Sequence, residues 1–119
     1  MRLVYVCTLA GALAGCHPPD DRIYAEAKQC HSMLAAALEL PPARLREAGF
    51  DPSLIDRSAE AELEDALQFG ANLEMSSIAV INDLNRATLA YSQSHDAGQT
   101  LDALRRDVDE CFRKDGPND

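Results

Sequence analysis

Positive charge is scarce in this chain. Lys and Arg number 11 against 20 Asp and Glu, a formal net charge of −9. That balance argues against nucleic acid, whose binding rests on cations facing phosphate, and against adhesion to anionic lipid through basic patches. It leaves room for a basic protein partner. Strand signals are missing too. No stretch beyond residue 15 alternates apolar and polar residues with β-branched enrichment, and no Asn-Gly or Asp-Gly turn joins two such runs. Internal repeats and low-complexity tracts are absent, as are G-x-S-x-G, a phosphate loop, H-E-x-x-H and a dinucleotide fingerprint. There is no Cys-x-x-Cys and no series of His or acidic residues at zinc-site spacing, so no cofactor is expected. The longest apolar stretch, residues 3–13, falls well short of the ~20 residues that span a bilayer as a helix.

That short stretch is itself informative. Arg2 precedes it, and Leu13-Ala14-Gly15-Cys16 ends it: a leucine, two small residues, then cysteine. The arrangement closely resembles the lipobox of bacterial lipoproteins. The resemblance implies that residues 1–15 are an export signal, to be left out of any fold argument. Cys16 would then carry a thioether-linked diacylglycerol and an acylated amino group. Each buried methylene contributes ~0.8 kcal/mol, and several chains together anchor a protein where one does not. The residue after the cysteine is His17 rather than the Asp that favours inner-membrane retention, so the resemblance implies the outer membrane, with the domain facing the periplasm. An ordinary secretory signal that happens to be followed by Cys16 is the alternative. Residues 16–20 form a tether too short to carry the domain far, about 13 Å at ~3.3 Å per residue.

Removing residues 1–15 leaves 104 residues, enough for one modest core, placed at 21–115. Losing Arg2 makes the net charge −10. Cys7 leaves with the signal and Cys16 is consumed by lipid, so Cys30 and Cys111 remain. Two thiols in an oxidising compartment most simply pair. A bridge closing a loop of about 80 residues stabilises by roughly 4.5 kcal/mol in chain-entropy terms. A redox or metal pair is the alternative, with no motif behind it.

The dominant period is helical. After Asp20, expected as an N-cap, Ile23, Ala27, Cys30, Leu34, Ala37 and Leu38 form one stripe. Pro41-Pro42 stops it, and a short turn of helix over 43–48 is expected to end at Gly49. Asp51-Pro52 reads as the start of another short piece reaching Ile55. Ser58 is expected as the next N-cap, with Glu60, Glu62, Glu64 and Asp65 in the helix start, where the macrodipole favours them. Leu63, Ala66, Leu67, Leu73, Ile78, Ile81, Leu84, Leu89 and Tyr91 carry an apolar face onward. A helix of about 36 residues is long for so small a domain, so a break is expected at 70–77, where Gly, Asn and Ser gather. Asp96-x-x-Gln99 resembles a capping box opening a last helix with Leu101, Leu104, Val108 and Cys111 on one face, Arg113 and Lys114 in its final turn, and Gly116-Pro117 as its stop. The fold class is therefore all-α: a small bundle of about four principal helices, with a disulfide joining first and last.

Chemistry is thin. His31 adjoins Cys30, but the two form a nucleophilic pair only if the thiol is free, and His31 is expected as a partly exposed helix residue. Glu60 and Glu64 share a helix face, yet no histidine or calcium loop completes a ligand set. The four carboxylates Glu60, Glu62, Glu64 and Asp65 are expected as a solvated, dipole-matched helix start. They are also the densest surface available to a basic partner. Asn82, Asp83 and Asn85 form a polar cluster within an otherwise apolar helix, either simply its outward face or, at Asn82 or Asn85, a second candidate contact. Enzymatic activity is not expected; binding is. Two readings stay open: a membrane-anchored accessory subunit of an envelope or secretion assembly, and an immunity protein inhibiting an antibacterial effector. In size, export signal, helix content, single disulfide and acidity, the chain is similar in general character to small helical periplasmic immunity lipoproteins.

Overall fold

Pro19 occupies the N-cap of the first long helix, so that Asp20 and Asp21 fall in its first turn, where the helix dipole favours negative charge. The computed structural model describes residues 6–7, 16–17 and 19–112. A two-residue antiparallel ladder, β1 (Val6–Cys7) with β2 (Cys16–His17), pairs Cys7 with Cys16. Its first strand belongs to the segment read as an export signal. The rest is helical: α1 (Asp20–Ala37), α2 (Pro42–Glu47), α3 (Pro52–Asn72), α4 (Ser77–Ser94), α5 (Ala97–Arg106) and α6 (Val108–Cys111). Four principal helices thus form the bundle, with α2 a short link between the first two.

Local chemistry sets most boundaries. Gly49 sits at φ 95, and the amides of Gly49 and Phe50 bond back to the carbonyls of Arg46 and Leu45 at 2.9 Å, a Schellman stop for α2. The Asp51 carboxylate accepts from the Ser53 amide at 2.9 Å and opens α3, with Pro52 in its first turn. Asp96 and Gln99 form the expected capping box, both bonds 2.8 Å.

Besides the N-cap of α1, which is Pro19 and not the expected Asp20, three expectations need correction. Asp51-Pro52 starts not a short piece but the whole of α3, 21 residues long, and Ser58 is a fully buried interior residue of that helix rather than an N-cap. The helix starting at Pro52 repeats Ile55, Ala59, Glu62 and Ala66 toward α1, and Ser58 shares that face. The last helix also breaks earlier than expected: α5 stops at Arg106, Asp107 turns, and α6 follows. Arg113, Lys114 and Gly116-Pro117 lie outside the described residues. The break at 70–77 proves complete. Glu74 takes φ 65, the amides of Glu74 and Met75 bond to the carbonyls of Ala71 and Gly70 at 2.9 Å, and the Ser76 hydroxyl caps α4 through the Ala79 amide at 3.1 Å.

α1 is the central element, packed against α3, α4 and α5. Its C-terminal half (Cys30, Met33, Leu34, Ala37) joins Leu45, Ile55, Ala59, Leu101, Leu104 and Phe112 in the larger core cluster. Its N-terminal half (Tyr24, Ala27) joins Ala66, Val80 and Leu84 in the smaller one. The early residues of α1 therefore meet the late residues of α3 and the early residues of α4. α3 runs against α1 and α4 runs with it. Consistent with that, Tyr24 bonds Asp83 near one end, and the Ser92 hydroxyl donates to Glu39 at 2.9 Å near the other. The Cys30–Cys111 disulfide closes the bundle across a sequence separation of 81.

Candidate functional site

The smaller core cluster carries a polar clasp. The Tyr24 hydroxyl donates to Asp83 Oδ2 at 2.7 Å, Lys28 Nζ reaches the same oxygen at 3.1 Å, and Arg86 approaches Oδ1 at 3.5 Å. Burial works to raise the Asp83 pKa, but the bonds from Tyr24 and Lys28 and the two nearby cations outweigh it and hold the carboxyl below its ordinary range. Tyr24 is pushed up to about 12, first by burial and then by its bond to Asp83. The clasp ties α4 to α1.

Because Asp83, Val80 and Leu84 face inward, the opposite side of α4 faces solvent. Ile78 is 72% exposed, Leu89 59% and Ile81 42%. Asn82 and Asn85 lie on that outward side and are exposed with them. The sequence reading set Ile78, Ile81 and Leu89 on one apolar face with Leu84; the structure buries Leu84 and leaves the other three at the surface. Among the described residues, α4 packs chiefly against α1 and α3, on its inward face. Scattered exposed aliphatic residues are ordinary; a row of three sharing one helix face with two amides is a candidate docking surface. Leu73, 38% exposed, adjoins its lower end at the α3–α4 corner.

The four carboxylates do not form one patch. Glu60 and Glu64 are exposed, Asp65 is half-buried, and Glu62 has no exposed surface and is engaged within the fold. All four lie in the middle of α3, beyond its first turn, so the expectation of a dipole-matched helix start fails. As a partner surface the set reduces to Glu60 and Glu64, one turn apart, with Asp65 beside them.

A cavity of about 280 Å³ opens beside the disulfide, lined by Met33, Tyr91, His95, Arg106 and Glu110 among others. Tyr91 and His95 stack there with ring centroids 3.9 Å apart, and His95 Nδ1 lies 3.0 Å from the Tyr91 carbonyl oxygen. Burial raises the Tyr91 pKa. Cys30 and Cys111 border the cavity, but their sulfurs are bonded to each other, so neither supplies a thiolate. His31 is half-buried with its Nδ1 enclosed, and burial lowers its pKa. Among the described residues no group of three His, Cys, Asp or Glu is placed to hold a metal, and no helix is long and apolar enough to cross a membrane. The side chain of Cys16, read from the sequence as the lipidation site, lies outside the described structure.

Comparison with known proteins adds no relative: no family model, no curated protein and no solved structure matches the chain.

Proposed function

We propose that the chain is a lipid-anchored, non-catalytic binding lipoprotein of the bacterial envelope, an accessory subunit that docks a protein partner through the outward face of α4. The observation that carries this reading is that face, uncovered from Ile78 and Ile81 at its lower end to Asn82, Asn85 and Leu89 farther from the α3–α4 corner, the stretch offered to the partner. Apolar side chains flanked by amides suit an interface, whose centre is apolar and whose rim is polar. The lipobox-like Leu13-Ala14-Gly15-Cys16 supplies the anchor. Anchoring raises the local concentration of the domain at the membrane, so a modest interface suffices for occupancy.

A second reading, an immunity protein against an exported effector, is favoured by charge. With the net charge at −10 once residues 1–15 are removed, the exposed pair Glu60 and Glu64 would steer a basic toxin, with an on-rate that falls as salt rises. A photo-crosslinking residue placed at Asn85, and in a second variant at Glu60, separates the two in intact cells. Capture of an envelope protein at position 85 supports the accessory role. Capture of an exported toxin at position 60, with nothing at 85, replaces it with the immunity role.

A further inference from the structure

We propose that the α3–α4 corner is a second membrane contact, seating Leu73, Ile78 and Ile81 in the headgroup layer of the bilayer that holds Cys16. The inference rests on the anchored reading and extends it by orienting the domain. Distance along the chain comes first. Cys16 and Asp20 are four residues apart, so the first turn of α1 stands within about 13 Å of the lipid at ~3.3 Å per residue. Packing then carries the corner to the same place. Gly70 lies against the Tyr24 ring and Val80, and Asp83 is bonded to Tyr24 and Lys28, so the corner sits within two turns of where α1 begins.

Exposure is concentrated there. Leu73 is 38% exposed, Ile78 72% and Ile81 42%, all at or just past the corner. Leu89 is exposed as well, but eleven residues beyond Ile78 it lies about 16 Å farther along α4 at ~1.5 Å per residue, at the end where α4 meets Glu39 rather than Tyr24. The lower part of the α4 face thus meets lipid, leaving Asn85 and Leu89 for the protein partner. A second copy meeting the corner symmetrically would set Asp20, Asp21 and Glu74 against their own like charges, so it is a poor occupant. A lipid surface needs no complementary shape, and apolar side chains enter its interface to a depth of about 5–10 Å. Asp20, Asp21 and Glu74 lie at the same end and repel anionic headgroups, so the apolar side chains alone hold the contact and salt, which screens the repulsion, does not weaken it.

The chain has no tryptophan, so one introduced indole reports one site. The lipidated protein is purified from membranes of the producing bacterium, its lipid confirmed by mass, and reconstituted in phosphatidylethanolamine–phosphatidylglycerol vesicles doped with brominated phosphatidylcholine. I78W and L89W replace exposed residues and keep the core intact. The expected result is blue-shifted emission and severalfold stronger bromine quenching for I78W than for L89W, not reduced by high salt. Equal quenching of the two indoles, or none in either, overturns the oriented contact while the anchor stands. A blue shift of I78W that grows with protein density without bromine quenching assigns the corner to a second copy and overturns it as well. A mature chain with no lipid on Cys16 removes the anchor and the contact together.

Discussion

Tyr24 does two jobs at once: its ring fills the smaller core cluster and its hydroxyl satisfies a carboxylate that cations already surround. Deleting the hydroxyl alone leaves the packing in place. Y24F should therefore destabilise by roughly 1.5–3 kcal/mol, the range for a hydrogen bond to a charged group, read as a lower Tm. The pH dependence carries a sign. Because the folded pKa of Tyr24 is raised to about 12 from an ordinary 10, the folded state holds its proton longer. The stability this confers is present below pH 10 and is lost as pH rises from 10 to 12. Y24F should abolish that alkaline loss. Asp83 works the other way. Its depressed pKa contributes stability above the ordinary carboxylate range, lost as pH falls below it. The sequence showed Asn82, Asp83 and Asn85 as a single polar interruption. Helical geometry splits them, with Asp83 turned inward and the two amides outward, and no local signal announced that Tyr24, 59 residues away, would be the partner.

Among the elements, α3 and the corner that follows it depend on one glycine. A Cβ on Gly70 would lie 2.5 Å from Val80 Cγ2 and 3.2 Å from the Tyr24 ring. Alanine improves helix propensity by about 1 kcal/mol, whereas forcing a methyl into a filled core costs about 1–3 kcal/mol. The clash should win, because Val80 has no exposed surface and Tyr24 is held by its bond to Asp83. G70A is expected to lower the denaturation midpoint and loosen the α3–α4 corner, checked by urea unfolding and amide exchange. Helix ends set by local chemistry were legible in sequence: Gly49 as a left-handed stop, Asp51-Pro52 as a start, Asp96-x-x-Gln99 as a capping box. Ser58 misled for a physical reason. A serine ahead of acidic residues looks the same whether it caps a helix or packs inside one, and tertiary contact with α1 decides. Glu74 shows the converse. A non-glycine residue occupies the left-handed position at the end of α3, and composition alone does not point to it.

At the scale of the whole molecule, the disulfide joins α1 to the chain beyond α5 and borders the larger core cluster. Its pairing was readable because export and lipidation would leave two thiols. Reduction, or C30S/C111S, should remove a few kcal/mol and lower Tm on the order of 10 °C or more, checked by thermal unfolding with and without reductant. The all-α class and the helix count were likewise readable from periodicity. The candidate site was not. Which apolar residues stay uncovered depends on how many neighbours a helix acquires, and among the described residues α4 packs chiefly through its inward side, so Ile78 and Leu89 share an apolar face with Leu84 in sequence and end at the surface. The proposed function depends first on the anchor, and fractionating cells that express the parent chain or C16S tests it most directly. The expected result is a parent in the membrane fraction, beginning at Cys16 with the added mass of its acyl chains, and a C16S protein released from membranes. A C16S protein that sediments with membranes as the parent does would contradict it.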